Sequence, residues 1–399
     1  MLTGIHIRHY ALLQDTCAGL NWDDATGRQR QNSQPWILQP LTVLVGRNST
    51  GKTSFLDALS FVSDCLRYDV QMASVLNERG GFSRLVSADS DHSVSFELVF
   101  SEEKPAPHHL LYRFECACDQ HGRPYVASEE VRRFDQDGPQ PGERRLLQMA
   151  KGEGVVFDDR LNSEITVTAA DLKHPALAVW GMTGTSSSLT RLYRQISRWF
   201  FSVSAHAAGR PDQRAPGGHK HISPGLDNIE NVLAYYREEQ PDIYQRMIHK
   251  ISDRLPTDRA ADREFLSGKM TSGVLKLFAL LLLLEDPDPR PLLCLEEPDV
   301  GLYHEMVDLL GREMRDYSLR SDDCQIIFTT HSPFMLESMK PDEVWVFSRV
   351  RLEADQPGPL ISARARCAAS DPLVQAMYRQ GIGLSAIWYG GHFDQEAES

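Results

Sequence analysis

The sequence lacks most of the features that would place it in a specialised class. Seven cysteines in 399 residues include no CxxC pair, and the nearest spacing, Cys116-Ala-Cys118, makes a poor zinc knuckle. A disulfide scaffold is excluded, and an odd thiol count without a signal-peptide pattern fits a reducing cytosol. The longest apolar run, Leu277–Leu284, falls far short of the roughly 20 residues needed to cross a bilayer, so the expectation is a cytoplasmic protein with no membrane contact. Repeats, sustained heptads and low-complexity tracts are missing too. Positive charge is in deficit, with 42 Lys and Arg against 55 Asp and Glu and a net charge of −13. That excludes a uniformly basic nucleic-acid coat and leaves room only for a local basic groove.

What is present is a folding composition. Hydrophobic residues make up 41% and charged residues 24%, which excludes a largely disordered chain. The length suggests two or three modules at about 150 residues each. Ile5–Leu13 alternates like a strand, and Asp23–Gln34 is polar and reads as a loop. Leu41-Thr-Val-Leu-Val45 is a buried-strand run, and from Thr53 the apolar residues take helical spacing. Alternation from 93 to 134, punctuated by Gln120-His-Gly122 and Asp135-Gln-Asp-Gly138, predicts an antiparallel meander continuing to about Val167. Helical periodicity follows from about 173 to 260, as in Leu189–Phe200 and Asn228–Arg254, around a Gly/Pro/His/Arg-rich loop, His206–His221. After a strongly apolar helix and the breaker Asp286-Pro-Asp-Pro-Arg-Pro291 come three more buried strands, Leu292–Leu295, Gln325–Thr329 and Glu343–Phe347.

Four constellations carry chemistry. Gly46-Arg-Asn-Ser-Thr-Gly-Lys-Thr53 matches G-x-x-x-x-G-K-[ST], between a strand and a helix. In such a loop backbone N–H groups of Gly46, Arg47, Asn48, Ser49, Thr50, Gly51, Lys52, Thr53 and Ser54 surround phosphate oxygens, helped by the helix N-terminus. Lys52 reaches the β- and γ-phosphates and the Thr53 hydroxyl ligates Mg2+. The competing reading, an ordinary glycine turn capping a helix, needs the flanking strand and helix to be coincidence. The second constellation, Glu296-Glu297-Pro298-Asp299, ends a buried strand. There Glu296 is placed to hold the metal and Glu297 to deprotonate an attacking water, against the alternative of a solvated carboxylate pair. The third, Thr329-Thr330-His331-Ser332-Pro333, again stands at the end of a buried strand, where His331 can contact a γ-phosphate unless it is simply structural. The fourth, Met270-Thr-Ser-Gly-Val-Leu-Lys276, opens the apolar helix. Its small residues suit an anion, with Ser272 and Gly273 capping a second subunit's γ-phosphate, or they serve only as a helix cap.

In this order the motifs resemble the ABC-type ATPase heads of the SMC, RecF and OLD (overcoming lysogenization defect) group. Within it the chain looks most like small standalone bacterial AAA/ABC-like ATPases of phage-defence operons. The resemblance covers nearly the whole chain, including the closing Gly383-Leu-Ser-Ala-Ile-Trp-Tyr-Gly-Gly391. It departs at Thr271, where the family usually has serine, at Glu296, usually aspartate, and at Gly301-Leu-Tyr-His-Glu305, where His-Pro is usual. The family's metal-site glutamine is not placed by the sequence.

The resemblance implies an α/β P-loop NTPase with an ABC-ATPase-like head, an antiparallel β-meander subdomain and a helical insertion. The division expected is 1–100 and 263–350 for the two halves of the head, 101–170 for the meander, 171–262 for the insertion and 351–399 for a tail. It implies ATP and Mg2+ as cofactors, with ATP hydrolysed between two copies of a homodimer or higher homo-oligomer. Lys52, Glu297 and His331 would be catalytic, Thr53 and Glu296 would hold the metal, and Arg8 is a candidate base or ribose contact. OLD nucleases carry a Toprim domain after the head, and residues 332–399 show no such paired acidic motifs. Asp394, Glu396 and Glu398 read as a solvated terminus. The expectation is therefore the sensor or regulator subunit of an antiviral defence system, controlling a separate effector such as a Toprim-like or other nuclease. The alternative is a RecF/SMC-like DNA-repair ATPase, with DNA bound by Arg210, Arg214 and Lys220, by Arg132-Arg133 or by Arg144-Arg145, although such clusters also occur in solvated loops. A non-hydrolysing scaffold is disfavoured because Lys52 and Glu297 are both present.

Overall fold

The computed structural model describes residues 1–20, 22–23, 28–29, 36–87, 93–102, 108–135, 142–202, 219–255, 260–320, 324–352 and 360–393. In chain order the strands are β1 (Leu2–Tyr10), β2 (Leu13–Gly19), the short pair β3 (Trp22–Asp23) and β4 (Arg28–Gln29), and β5 (Leu41–Val45). The meander follows as β6 (Ser93–Glu102), β7 (His108–Cys118), β8 (Pro124–Asp135), β9 (Gly142–Ala150), β10 (Glu153–Asp158) and β11 (Ser163–Thr168). The remainder are β12 (Phe200–Phe201), β13 (Leu292–Leu295), β14 (Gln325–Thr329), β15 (Val344–Leu352) and β16 (Leu360–Cys367).

Two large sheets result. One has eight strands in the order β11-β10-β9-β8-β7-β6-β1-β2, and the other six in the order β12-β13-β14-β5-β15-β16. The eight-stranded sheet is antiparallel throughout. In the second sheet only β16 runs against its neighbour. Such a parallel core is hydrophobic on both faces, and the strands show it. Leu41, Val43 and Val45 point to one side with Leu293, Leu295, Ile326 and Phe328, under the C-terminal helices. Leu44, Cys294 and Ile327 point to the other, where they meet the helix Lys52–Arg67 and the inner face of the eight-stranded sheet. That helix is wrapped by both sheets, so Phe55, Leu59, Phe61, Val62 and Cys65 are all fully buried around it.

The expected strands at 41–45, 292–295 and 325–329 stand at those bounds, and the meander runs to Thr168. Several local expectations need correction. The N-terminal strand is a hairpin, since Leu13–Gly19 folds back on β1. The helix expected over 189–200 stops at Ser197, and Phe200–Phe201 becomes the edge strand of the parallel sheet. The helix expected over 228–254 breaks at Gln240, where Pro241 starts a new one. The strand at 343–347 extends to Leu352 and gains the partner β16. The boundary expected at 100/101 falls within β6, which pairs with both β1 and β7. The sheets join where β2 meets β16: Ala363 N–H donates to the Leu12 carbonyl (3.0 Å) and the Thr16 hydroxyl to the Ala363 carbonyl (2.7 Å). Among the described residues no helix is long and apolar enough to cross a membrane.

Candidate functional site

The phosphate loop leaves the central strand β5 and enters the helix Lys52–Arg67. Two glycines are required by their backbones and by their neighbours. Gly46 has φ +139°, and a Cβ there would lie 2.2 Å from the Phe347 carbonyl oxygen. Gly51 has φ +103°, and its Cβ would meet that of Ala363 at 2.6 Å. The loop is therefore seated on β15 and β16 as well as shaped for phosphate. Arg349 of β15 donates to the Ser49 carbonyl at 2.6 Å, and the Thr50 hydroxyl closes the loop on the Arg47 carbonyl at 2.9 Å. Arg47, Asn48 and Ser49 are exposed, Ser54 is half-buried, and Lys52 is buried. The Lys52 ammonium donates to the Gly46 and Arg47 carbonyls at 2.8 and 2.9 Å.

The carboxylates come from the far half of the chain. The Thr53 hydroxyl donates to Glu296 Oε1 at 2.5 Å, across 243 residues of sequence. Two hard oxygen donors side by side at a strand end suit Mg2+, so Thr53 and Glu296 are the residues that would hold it. Glu297 Oε1 lies 3.6 Å from His331 Nε2. Burial and the Lys52 ammonium push the His331 imidazole below its ordinary pKa, while Glu297 and Asp299 oppose this. Burial also lowers Lys52, against the pull of Glu297 and Glu296. Both shifts favour the neutral forms, so near neutral pH the His331 imidazole is uncharged.

Glu297 itself sits at φ +44°, a left-handed backbone that costs a non-glycine residue about 1 kcal/mol or more. Its N–H donates to the Thr329 hydroxyl (3.0 Å), and its carbonyl accepts from the Lys276 ammonium (3.1 Å), which also reaches the Val300 carbonyl (2.8 Å). Two other elements therefore fix both polar groups of this peptide. Lys276 lies on the helix Ser272–Leu284, so the small-residue motif is mechanically tied to Glu297 in the same chain. Gly273 faces the Gly301 carbonyl, 2.8 Å from where a Cβ would stand. Ser272 is exposed, and among the described residues neither it nor Gly273 hydrogen-bonds to the phosphate loop of its own chain.

Thr329 and Lys276 stand inside the third and fourth motifs without a role having been read for them, and Arg349 and Ser202 were not signalled by any motif. The Ser202 hydroxyl follows β12 and accepts from the Glu296 N–H at 3.0 Å. It stands beside the metal-site candidates, the region in which a glutamine was expected, and residues 203–218 lie outside the described residues. Arg210 and Arg214 fall there too. The remaining basic candidates are largely engaged. Arg132 pairs with Glu130 at 2.6 Å and Glu143 at 3.1 Å, Arg144 stacks over Phe157, and Lys220 pairs with Asp288 at 3.3 Å. Arg8 lies 3.6 Å from Asp15.

A phosphate loop between a central parallel strand and a helix, with a carboxylate from a neighbouring strand end beside it, defines a P-loop nucleotide-binding fold. The family model described as "AAA domain, putative AbiEii toxin, Type IV TA system" matches residues 41–337, and the chain belongs to that family. No curated protein matches the sequence. Among solved structures, the SMC head domain from Thermotoga maritima is 14% identical, covering 92% of this chain and 98% of that one at a TM-score of 0.42. An SMC head bound to the C-terminal winged-helix domain of ScpA is 10% identical (92% and 97% covered, TM-score 0.45). A dimeric ATP-binding cassette in a post-hydrolysis state with ADP and Pi is 11% identical (86% and 93% covered, TM-score 0.34).

Proposed function

We propose that this protein binds Mg2+-ATP between two copies of itself and hydrolyses it as a switch. The observation that carries the reading is the convergence on Lys52 of two pairs from distant segments, Thr53 with Glu296 and Glu297 with His331. The phosphate-loop N–H groups and Lys52 hold the phosphates, and Thr53 and Glu296 would hold Mg2+, which would offset their charge. Glu297 takes the proton of the attacking water, and the neutral His331 contacts the γ-phosphate. The second copy supplies Ser272 and Gly273. This is supported by the exposure of Ser272 at the start of its helix and of the hydrophobic Leu275 one turn further on. ATP favours the closed pair because only the closed pair contacts it from both sides, and hydrolysis removes that preference.

We further propose that the switch is the sensor or regulator of an antiviral defence system, acting on a separate effector protein. Support comes from the family description, which names a putative toxin of a toxin–antitoxin system. The ion pairs of Arg132 and Lys220 and the stacking of Arg144 leave the DNA-repair alternative with less free positive charge. The test is a pull-down of tagged Glu297→Gln protein with ATP from cells carrying the neighbouring genes, with Lys52→Ala as control. Glu297→Gln should bind ATP while its turnover falls by about 10²–10⁴-fold, and Lys52→Ala should not bind ATP. A stoichiometric, ATP-dependent second protein supports the defence switch. Co-purifying DNA with no protein partner replaces that role with repair, and undiminished turnover in Glu297→Gln removes the assigned base.

A further inference from the structure

A cavity of about 540 Å³ runs along the phosphate-loop helix on the side of the edge strand β12. Its size is that of pockets for small organic ligands, roughly 300–1,000 Å³. Thr53 and Glu296 line it, and so do Arg67 and Arg290. At about 1.5 Å per helical residue, Thr53 and Arg67 lie some 20 Å apart, so the cavity follows the helix from the metal end to its C-terminus. The strand β13 runs the opposite way, which places Arg290, just before it, beside Arg67.

The two ends differ in charge. Arg67 and Arg290 both line the far end, and the carboxylates nearby are already engaged. Asp288 pairs with Arg198 and Lys220, and Asp286 with His221 at 2.5 Å. Among the described residues no carboxylate lies within 4.0 Å of the Arg67 or Arg290 guanidinium. Arg290 is half-buried, and burial with its positive neighbours lowers its pKa. The carboxylates in the middle of the wall, Asp57 and Asp64, are each held by Arg79 at 2.8 Å. Opposite stand Trp199, Phe200 and Phe201.

We propose that this cavity is a second ligand site, taking a small organic phosphate of mononucleotide size whose phosphate group binds Arg67 and Arg290. Two guanidinium groups without a carboxylate partner among the described residues, one of them (Arg67) set over the Tyr68 ring, recognise a phosphate dianion with charge-assisted hydrogen bonds, and the aromatic wall accepts the apolar body of the ligand. Nucleotide at the phosphate loop is a separate occupant.

The experiment uses full-length Lys52→Ala protein titrated with AMP by calorimetry. Saturable binding is expected, weakened at least 10-fold by Arg290→Ala and by Arg67→Ala, and unchanged by Arg145→Ala. Arg67 is exposed at a helix end, so its variant should fold even if Arg290→Ala does not. Ribose 5-phosphate should compete with AMP, whereas adenosine should not. Absence of saturable AMP binding, indifference to both arginine variants, or competition by adenosine alone would overturn the site. If Lys52→Ala still bound ATP, the phosphate-loop assignment would fail while the arginine variants still decided this one.

Discussion

At Glu297 a single dihedral angle carries much of the chemistry. A left-handed glutamate persists only if its surroundings over-determine it, and here Thr329 and Lys276 grip the N–H and the carbonyl from separate elements. Lys276→Met removes one grip without touching the phosphate loop. The expectation is a fall in kcat of about 10–100-fold with the ATP dissociation constant within about twofold of wild type, measured by single-turnover kinetics and equilibrium titration. Lys276→Arg, which can still donate to both carbonyls, should recover part of the loss. Equal losses in binding and turnover would show that Lys276 does no more than stabilise the fold.

Among the elements, the meander hides a titratable buried carboxyl. Glu129 of β8 is fully buried beneath the sheet and accepts from the Ala176 and Leu177 N–H groups at 2.5 and 2.9 Å, and from the Tyr112 hydroxyl at 3.0 Å. It thereby caps the helix Ala176–Thr183. Burial outweighs these donors and raises its pKa from 4.5 to about 7. The folded state then keeps a proton that the unfolded chain has lost, so this group's contribution is full below about pH 4.5 and is lost as pH rises through about 7. The loss amounts to roughly 3 kcal/mol. Denaturant unfolding of Glu129→Gln should show less decline between pH 5 and 7.5 than the parent, with the other carboxylates cancelling in the comparison. Parallel curves would refute the assignment. The elements themselves were mostly legible in the sequence, because buried strands and a helix wrapped by two sheets leave apolar patterns. The two-residue strand β12 was not, since a run so short has no period, and it is specified by its pairing with β13. In the site, the phosphate loop, the carboxylate pair and His331 were legible as motifs. The roles of Thr329 and Lys276, though both stand inside motifs, and the residues Ser202 and Arg349 were not, because each acts through long-range hydrogen bonds that leave no local pattern.

For the whole molecule, the question is whether one chain or two make a site. If Ser272 serves the partner, Lys52→Ala and Ser272→Arg are each inactive alone but complementary when mixed. Equimolar mixing with subunit exchange should restore about a quarter of wild-type ATPase activity, because half the pairs are mixed and each holds one intact site. No recovery would place both motifs in one chain. The seam between β2 and β16 has a further consequence, in time. Residues 12–16 leave the ribosome tens of seconds before residues 362–363, at about 5–20 residues per second. Until then β2 is an open edge, and the phosphate loop lacks Phe347 and Ala363, against which Gly46 and Gly51 pack. The loop of the nucleotide site is thus completed by a segment translated long after it. A chain interrupted before β16 would carry the loop's sequence without the seat that shapes it, and would depend on chaperones to keep that edge covered.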